Sequence, residues 1–210
     1  MGRWREEIEA LSKLDARRSC FGSPSHRFQL RPVTLAEVRA FEEFCGINLP
    51  EDYRDYLLEV GFGAGPYHGL LNFGRIREEL QMIYETYDEE YGGHQLPANE
   101  FGLESAIDEA LERGLPLQFR APISSGGFIP FCEQGCEFLT VLVTTGKFRG
   151  RVFDTTDFAI YGSLWSAAKS PPGVVTKGQG SAVDDKMPIL PTFTEWAEAW
   201  IRCCNRADDT

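Results

Sequence analysis

The sequence contains no apolar run near the ~18 residues that a membrane-spanning helix needs, so a transmembrane reading is excluded. Imidazole is scarce: His26, His68 and His94 are the whole supply in 210 residues, and each falls in a different predicted loop. There is no H-E-x-x-H pair, no G-x-S-x-G elbow and no G-x-x-x-x-G-K-[ST] phosphate loop. His68, beside Tyr67, is the most interesting of the three, but a lone loop histidine reads as a hydrogen-bonded surface residue. Positive charge is short as well, with 21 Lys and Arg against 32 Asp and Glu, a net charge of -11. Such a balance repels nucleic acid and attracts basic partners. The opening MGRWREEIEA puts acidic residues where an export signal would be apolar, so the expected compartment is the cytoplasm.

Six cysteines in a cytoplasmic chain read as free thiols rather than as a disulfide framework. Cys45 lies on an apolar helix stripe, Cys203 and Cys204 end an amphipathic helix, and Cys20 sits in a loop. Cys132 and Cys136 could join Cys203 and Cys204 around zinc, but residues 137 to 144 read as strand and structural zinc shows paired knuckles. Core filling is the expectation, and no metal or cofactor is expected.

What is present is an ordinary globular composition, 42% hydrophobic and 25% charged, in a chain long enough to bury roughly 70% of its unfolded surface. The organising stretch is LPEDYRDYLLEVGFGAGP, residues 49 to 66. Pro50 suits a first helical position and Glu51 and Asp52 suit the positive end of the helix dipole. Tyr53, Tyr56, Leu57 and Val60 share one face, and Gly61 can close the helix. GFGAGP is no nucleotide loop, because it follows a helix and runs into Pro66. Upstream, Thr34 and Glu37 form a capping box, with Val33 and Val38 at staple positions. Leu35, Val38, Phe41, Phe44 and Cys45 make the stripe that Gly46 ends.

These two helices with the loop after them, TLAEVRAFEEFCGINLPEDYRDYLLEVGFGAGPYHGLL, resemble the N-terminal signature of the SUKH superfamily, which includes the fungal cell-wall-synthesis regulators of the Smi and Knr type. FCEQGCEFLTVLVTTGKFRGRVF is similar to that family's central hairpin with its Gly-Arg-Val-aromatic step, and PTFTEWAEAWI to its closing helix. The resemblance implies an α+β fold, an antiparallel sheet in the second half packed by helices from the N-terminal half and by a C-terminal helix. It also implies protein binding, many bacterial members being understood to neutralise a cognate toxin. The expected organisation is an N-terminal helical extension and linker over 1–31, then one domain over 32–210 with a mobile loop at 170–188.

In chain order, a helix over 3–18 is expected to carry Trp4, Ile8, Leu11 and Leu14 on one face, before a FGSPSHR strap. A helix over 76–91 points Ile76, Leu80, Ile83, Tyr87 and Tyr91 inward and Glu78, Glu79, Glu85, Asp88, Glu89 and Glu90 outward. Acid at its C-terminal end opposes the helix dipole, so that face is either merely solvated or used for something else. Another helix, 102–113, uses Leu103, Ile107 and Leu111. Strands are expected over 115–119, 128–131, 138–144, 151–154 and 158–161, and Thr192 with Glu195 caps a last helix bearing Phe193, Trp196, Trp200 and Ile201 in the core.

Charge is uneven: residues 51–113 hold 15 acidic and 4 basic side chains, whereas 1–31 hold 7 basic and 4 acidic. The candidate contact face is therefore Glu85, Asp88, Glu89, Glu90 and Tyr91, with Asp154 and Asp157 as a second patch. Asp154 and Asp157 in FDTTDF are also the spacing of a hydrolase's acid and base, or of a plain Asx turn. The reading is a non-enzymatic binder of a basic toxin domain; a regulatory scaffold and an uncharacterised hydrolase are the alternatives.

Overall fold

A computed structural model describes residues 2–91, 101–114, 118–119, 126–135, 138–156, 159–162 and 190–206, with side chains described outside 83–91, 118–119, 156, 159–162 and 206. Seven helices are described: α1 Arg3–Leu14, α2 Ser23–His26, α3 Leu35–Cys45, α4 Glu51–Glu59, α5 Phe73–Tyr91, α6 Glu104–Glu112 and α7 Phe193–Arg206. The strands are β1 Gln118–Phe119, β2 Phe128–Gly135, β3 Phe138–Val143, β4 Val152–Thr156 and β5 Ala159–Gly162. They form one antiparallel sheet in the order β1-β5-β4-β3-β2, so the α+β expectation holds. The 170–188 segment lies outside the described residues.

The sheet is covered on both sides. Ile129, Phe131, Leu142 and Val152 face the larger core, which α1, α3, α4, α5 and α7 complete. Phe128, Val141, Val143 and Phe153 face a second core with Ile107 and Ala110 of α6. Leu111, expected inward, is 45% exposed, and Ala110, three residues after Ile107, takes the buried position. β2 is an edge strand whose register slips between Pro130 and Cys132 and again between Glu133 and Gly135. Along this edge Leu71 donates its N–H to the Phe131 carbonyl at 2.9 Å.

The caps read from the sequence are in place. Thr34 and Glu37 make both bonds of a capping box, and the Glu195 N–H donates to Thr192 Oγ1 at 3.2 Å while the Thr192 N–H donates to Glu195 Oε2 at 2.8 Å. α5 starts earlier than expected because Asn72 Oδ1 accepts the Arg75 N–H at 2.9 Å, capping the first turn. α1 stops at Leu14, which is 60% exposed, because Asp15 turns inward instead of continuing the helix. Its carboxylate accepts from Ser19 N and Oγ, Cys20 N and Ser23 Oγ. Burial alone would raise its pKa, but these bonds outweigh it and hold the group below its ordinary value.

α4, β2 and α7 meet in one aromatic cluster. Ring centroids of Tyr53 and Phe193 are 5.0 Å apart, those of Tyr56 and Phe193 5.3 Å, and those of Phe131 and Trp196 4.9 Å. Tyr56 donates its hydroxyl to the Ala64 carbonyl at 3.0 Å, whereas the buried Tyr53 hydroxyl finds no partner among the described residues. Tyr56→Phe is therefore expected to cost about 1 kcal/mol, and Tyr53→Phe to be neutral or stabilising by a similar amount. Paired urea melts check this; equal losses at both positions would contradict it. Arg149 of the β3–β4 loop donates to the Asn48 and Leu49 carbonyls at 3.1 and 2.9 Å, joining the hairpin to the α3–α4 junction.

The N-terminal 31 residues, expected as an extension and linker, build part of the larger core. Trp4, Ile8 and Leu11 are buried in it, and Trp4 N–H donates to Glu59 Oε2 at 2.8 Å. The expectation of free thiols is corrected for two residues: Cys20 and Cys204 are disulfide-bonded across 184 residues of sequence. Spacing could not reveal the pair, since only the folded strap brings Cys20 onto α7. Cys45 and Cys132 are buried thiols, as core filling requires.

His26 closes α2 and is buried against Phe28 and Trp200, with ring centroids at 5.1 and 5.6 Å. Its Nδ1 accepts the Phe28 N–H at 2.9 Å. Burial pushes its pKa down to about 4; the Gly65 carbonyl and Asp15 favour the protonated ring, and Arg18 opposes it. Above pH 6.5 the ring is neutral in both folded and unfolded chains and its contribution is complete. As pH falls from 6.5 towards 4 the unfolded chain protonates first, costing about 3 kcal/mol over that window. His26→Asn keeps an acceptor without the titration and should flatten that limb of stability against pH. Parallel limbs for the two proteins would show the assignment to be wrong.

Candidate partner-binding surface

The acid-rich helix α5 spans Phe73–Tyr91 and has no basic residue in its last turn. Its first turns do not present the free carboxylates expected there. Arg75 pairs with Glu78 at 3.1 Å and with Glu79 at 2.6 Å. Glu79 is only 8% exposed, because the i,i+4 step from Arg75 rolls it toward the body of the protein. The backbone of α5 continues through Glu85, Asp88, Glu89, Glu90 and Tyr91, whose side chains lie outside the described residues, as does Asp157.

Asp154 is a correction. The sequence puts it on an exposed second patch, yet it is 1% exposed. In the β3–β4 register it stands opposite Thr140, whose Oγ1 donates to it at 2.8 Å, and Gln134 Nε2 donates to it at 2.5 Å. The alternation of β4 carries it onto the same face as Val152, against the larger core. A carboxylate placed this way organises the end of the sheet and has no route to a macromolecular partner.

The nearby groups are not arranged for nucleophilic chemistry. Cys132 is fully buried, and burial, followed by the charges of Asp154 and Glu133, pushes its pKa well above the ordinary thiol value. Burial does the same for Tyr53, Tyr56 and Tyr67. His68 is exposed, its Nδ1 3.4 Å from Ser25 Oγ. Among the described residues no group of three or more His, Cys, Asp or Glu is placed to hold a metal. The zinc option is further reduced because Cys204 is spent on Cys20, while Cys136 lies outside the described residues. No helix among the described residues is long and apolar enough to cross a membrane.

Among the carboxylates that the sequence assigned no contact role, Glu43 on α3 and Glu51 and Asp55, one turn apart on α4, are exposed and in no ion pair among the described residues. Other acids are committed to the fold, with Asp52 accepting from Thr194 N and Oγ1 and Glu42 from Leu49 N. The i,i+4 spacing of Glu51 and Asp55 is readable in the sequence; their lack of an ion pair among the described residues is not. Phe44, expected in the core, is 59% exposed and carries the Arg77 guanidinium 4.4 Å from its ring centroid. Leu35 is likewise 46% exposed at the first position of α3.

Residues 32–198 match the family model described as SMI1 / KNR4 family (SUKH-1). No curated protein and no solved structure matches the chain.

Proposed function

The chain belongs to the SMI1 / KNR4 family (SUKH-1), and from that premise we propose that it is a non-enzymatic protein-binding module, an immunity protein that neutralises a cognate bacterial toxin. The toxin that fits is a basic nuclease domain. Such a domain needs positive charge to hold phosphates, so an acidic protein is steered to it and covers its nucleic-acid groove. One observation carries the reading: 15 acidic against 4 basic side chains within residues 51–113, on a family module. The proposed contact face is Glu85, Asp88, Glu89, Glu90 and Tyr91 at the C-terminal end of α5. Glu51 and Asp55 add exposed charge on α4, and Asp157 is a subsidiary contact. Acid at the wrong end of a helix costs a few tenths of a kcal/mol per residue, which a binding role offsets. The buried, protonated Cys132 and the enclosed Asp154 support the non-enzymatic part. Cytoplasmic residence belongs to the same proposal, since the toxin would be met inside the producing cell.

The test is stopped-flow association with a basic nuclease toxin domain from the same genomic neighbourhood. Raising salt from about 50 to about 500 mM is expected to slow association at least tenfold, and reversing the four acids at 85, 88, 89 and 90 to Lys should do likewise at low salt. A rate indifferent to both removes the electrostatic argument.

A further inference from the structure

The strap of residues 15–31 joins α1 to α3, lies outside the family match, and is not used by the binding reading. Three of its non-glycine residues, Arg18, Arg27 and Phe28, hold φ at 57°, 52° and 54°. Left-handed backbone at such residues persists only where the surroundings over-determine it. Toward the end of α4 and the loop after it, the strap is tied by the Arg31 backbone bonds with Val60 and Phe62 and by the Phe21–Tyr67 ring contact at 4.8 Å. Asp15 gathers Ser19, Cys20 and Ser23 within the strap itself. Across to α7 run the hydrogen bond from Trp200 Nε1 to the Phe21 carbonyl at 2.9 Å and the rings of His26 and Phe28, at 5.6 and 6.2 Å from that of Trp200. Arg17, Arg18, Arg27 and Arg31 make no ion pair among the described residues, and the Arg18 guanidinium lies 5.7 Å from the Phe28 ring centroid within the strap. A further tie to α7 is covalent, Cys20 to Cys204 in the last turns of that helix.

We propose that the Cys20–Cys204 disulfide is a thiol-exchange site, a clasp that small thiols of the glutathione class open and their disulfides close, and that it governs whether residues 15–31 lie down on α7. Both cysteines are buried, at 1% and 4% exposure, so exchange waits on a local lift of the strap. A small thiolate then attacks one sulfur, forming a mixed disulfide and releasing the other cysteine as a thiolate, which takes a proton. A second small thiolate attacks the small-thiol sulfur of that mixed disulfide and frees the remaining cysteine. Two electrons have passed, Cys20 and Cys204 end as thiols, and the two small molecules leave joined. Closing runs the same steps in reverse, with the small disulfide as oxidant. Once open, the left-handed residues relax and the arginines become cleavable.

The full chain, alkylated without reductant and digested, is expected to yield the Cys20 peptide joined to the Cys204 peptide. Limited trypsin cleavage after Arg17, Arg18 and Arg27 should run about tenfold faster in millimolar reduced glutathione and return to the slow rate on reoxidation. Cys20→Ser should cleave fast in both conditions, and Cys45→Ser should keep the thiol response. Absence of the joined peptide, or the same cleavage rate in wild type before and after reduction, overturns the proposal. Should Cys20→Ser not fold, the reversible wild-type comparison decides alone.

Discussion

Replacing Gly61 by alanine is expected to cost roughly 4 kcal/mol or more, enough to unfold much of the population, because it combines two of the mechanisms behind the largest single-site losses. Gly61 closes α4 with φ at 79°, and its N–H reaches the Tyr56 carbonyl at 3.2 Å. At this point the chain also runs beside the strap: Arg31 N donates to the Val60 carbonyl at 2.7 Å, and Phe62 N to the Arg31 carbonyl at 3.2 Å. A Cβ on Gly61 would stand 1.6 Å from the Arg31 carbonyl oxygen, 2.1 Å from its carbon and 2.5 Å from Pro32 N. Those are backbone atoms, so no rotamer change relieves the overlap; the strap must leave the end of α4. Gly114 is the control. Its φ is 61° but nothing among the described residues lies within 4 Å of the position its methyl would take, so Gly114→Ala should cost only the conformational term, about 1 kcal/mol. Urea unfolding with unchanged m-values measures both, and similar midpoints for the two variants would refute the clash argument.

Phe193→Ala should cost about 4 kcal/mol, through lost transfer energy and the cavity left behind. Phe193 is fully buried, with its ring 5.0 Å from Tyr53, 5.3 Å from Tyr56, 5.7 Å from Phe131 and 5.9 Å from Trp196. It is the first residue of α7, and it is where α4 and β2 are brought against that helix. No neighbouring ring can fill the space, since each is edge-on or tilted toward it and held by its own element. Phe44→Ala, at a ring that is mostly exposed, should change stability by no more than about 0.5 kcal/mol. A loss at Phe193 as small as that would mean the three segments do not depend on one another.

The contrast between Phe193 and Phe44 also marks how far the sequence could be read. Features decided within one turn of chain were legible: the Thr34–Glu37 and Thr192–Glu195 boxes, the end of α3 at Gly46, and the buried face of α7. Periodicity gives the direction in which a side chain points, and what covers that direction comes from elsewhere in the chain. Leu35 and Phe44 lie on a stripe that α5 covers only in part, with Arg77 reaching Phe44. Asp154 reads as surface in the sequence because its partners, Thr140 and Gln134, belong to neighbouring strands that only the sheet register brings beside it. Glu79 went the same way, held by Arg75 on its own helix, a pair visible in the spacing but not in its burial. The disulfide, joining positions 184 residues apart, left no local trace. Of the proposed contact face the sequence supplies the charge, and among the described residues Glu51 and Asp55 on α4 are exposed and in no ion pair.

The broken register of β2 has a consequence for how a partner can be recognised. Pro130 has no N–H to offer, and the two slips along β2 interrupt the even spacing of donors and acceptors. Part of the same border is taken by the chain itself, through the Leu70–Cys132 bridge and the Leu71 bond to Phe131. An extended peptide therefore finds no continuous backbone rail to zip onto along this border, and neither does a sticky strand from a misfolded neighbour.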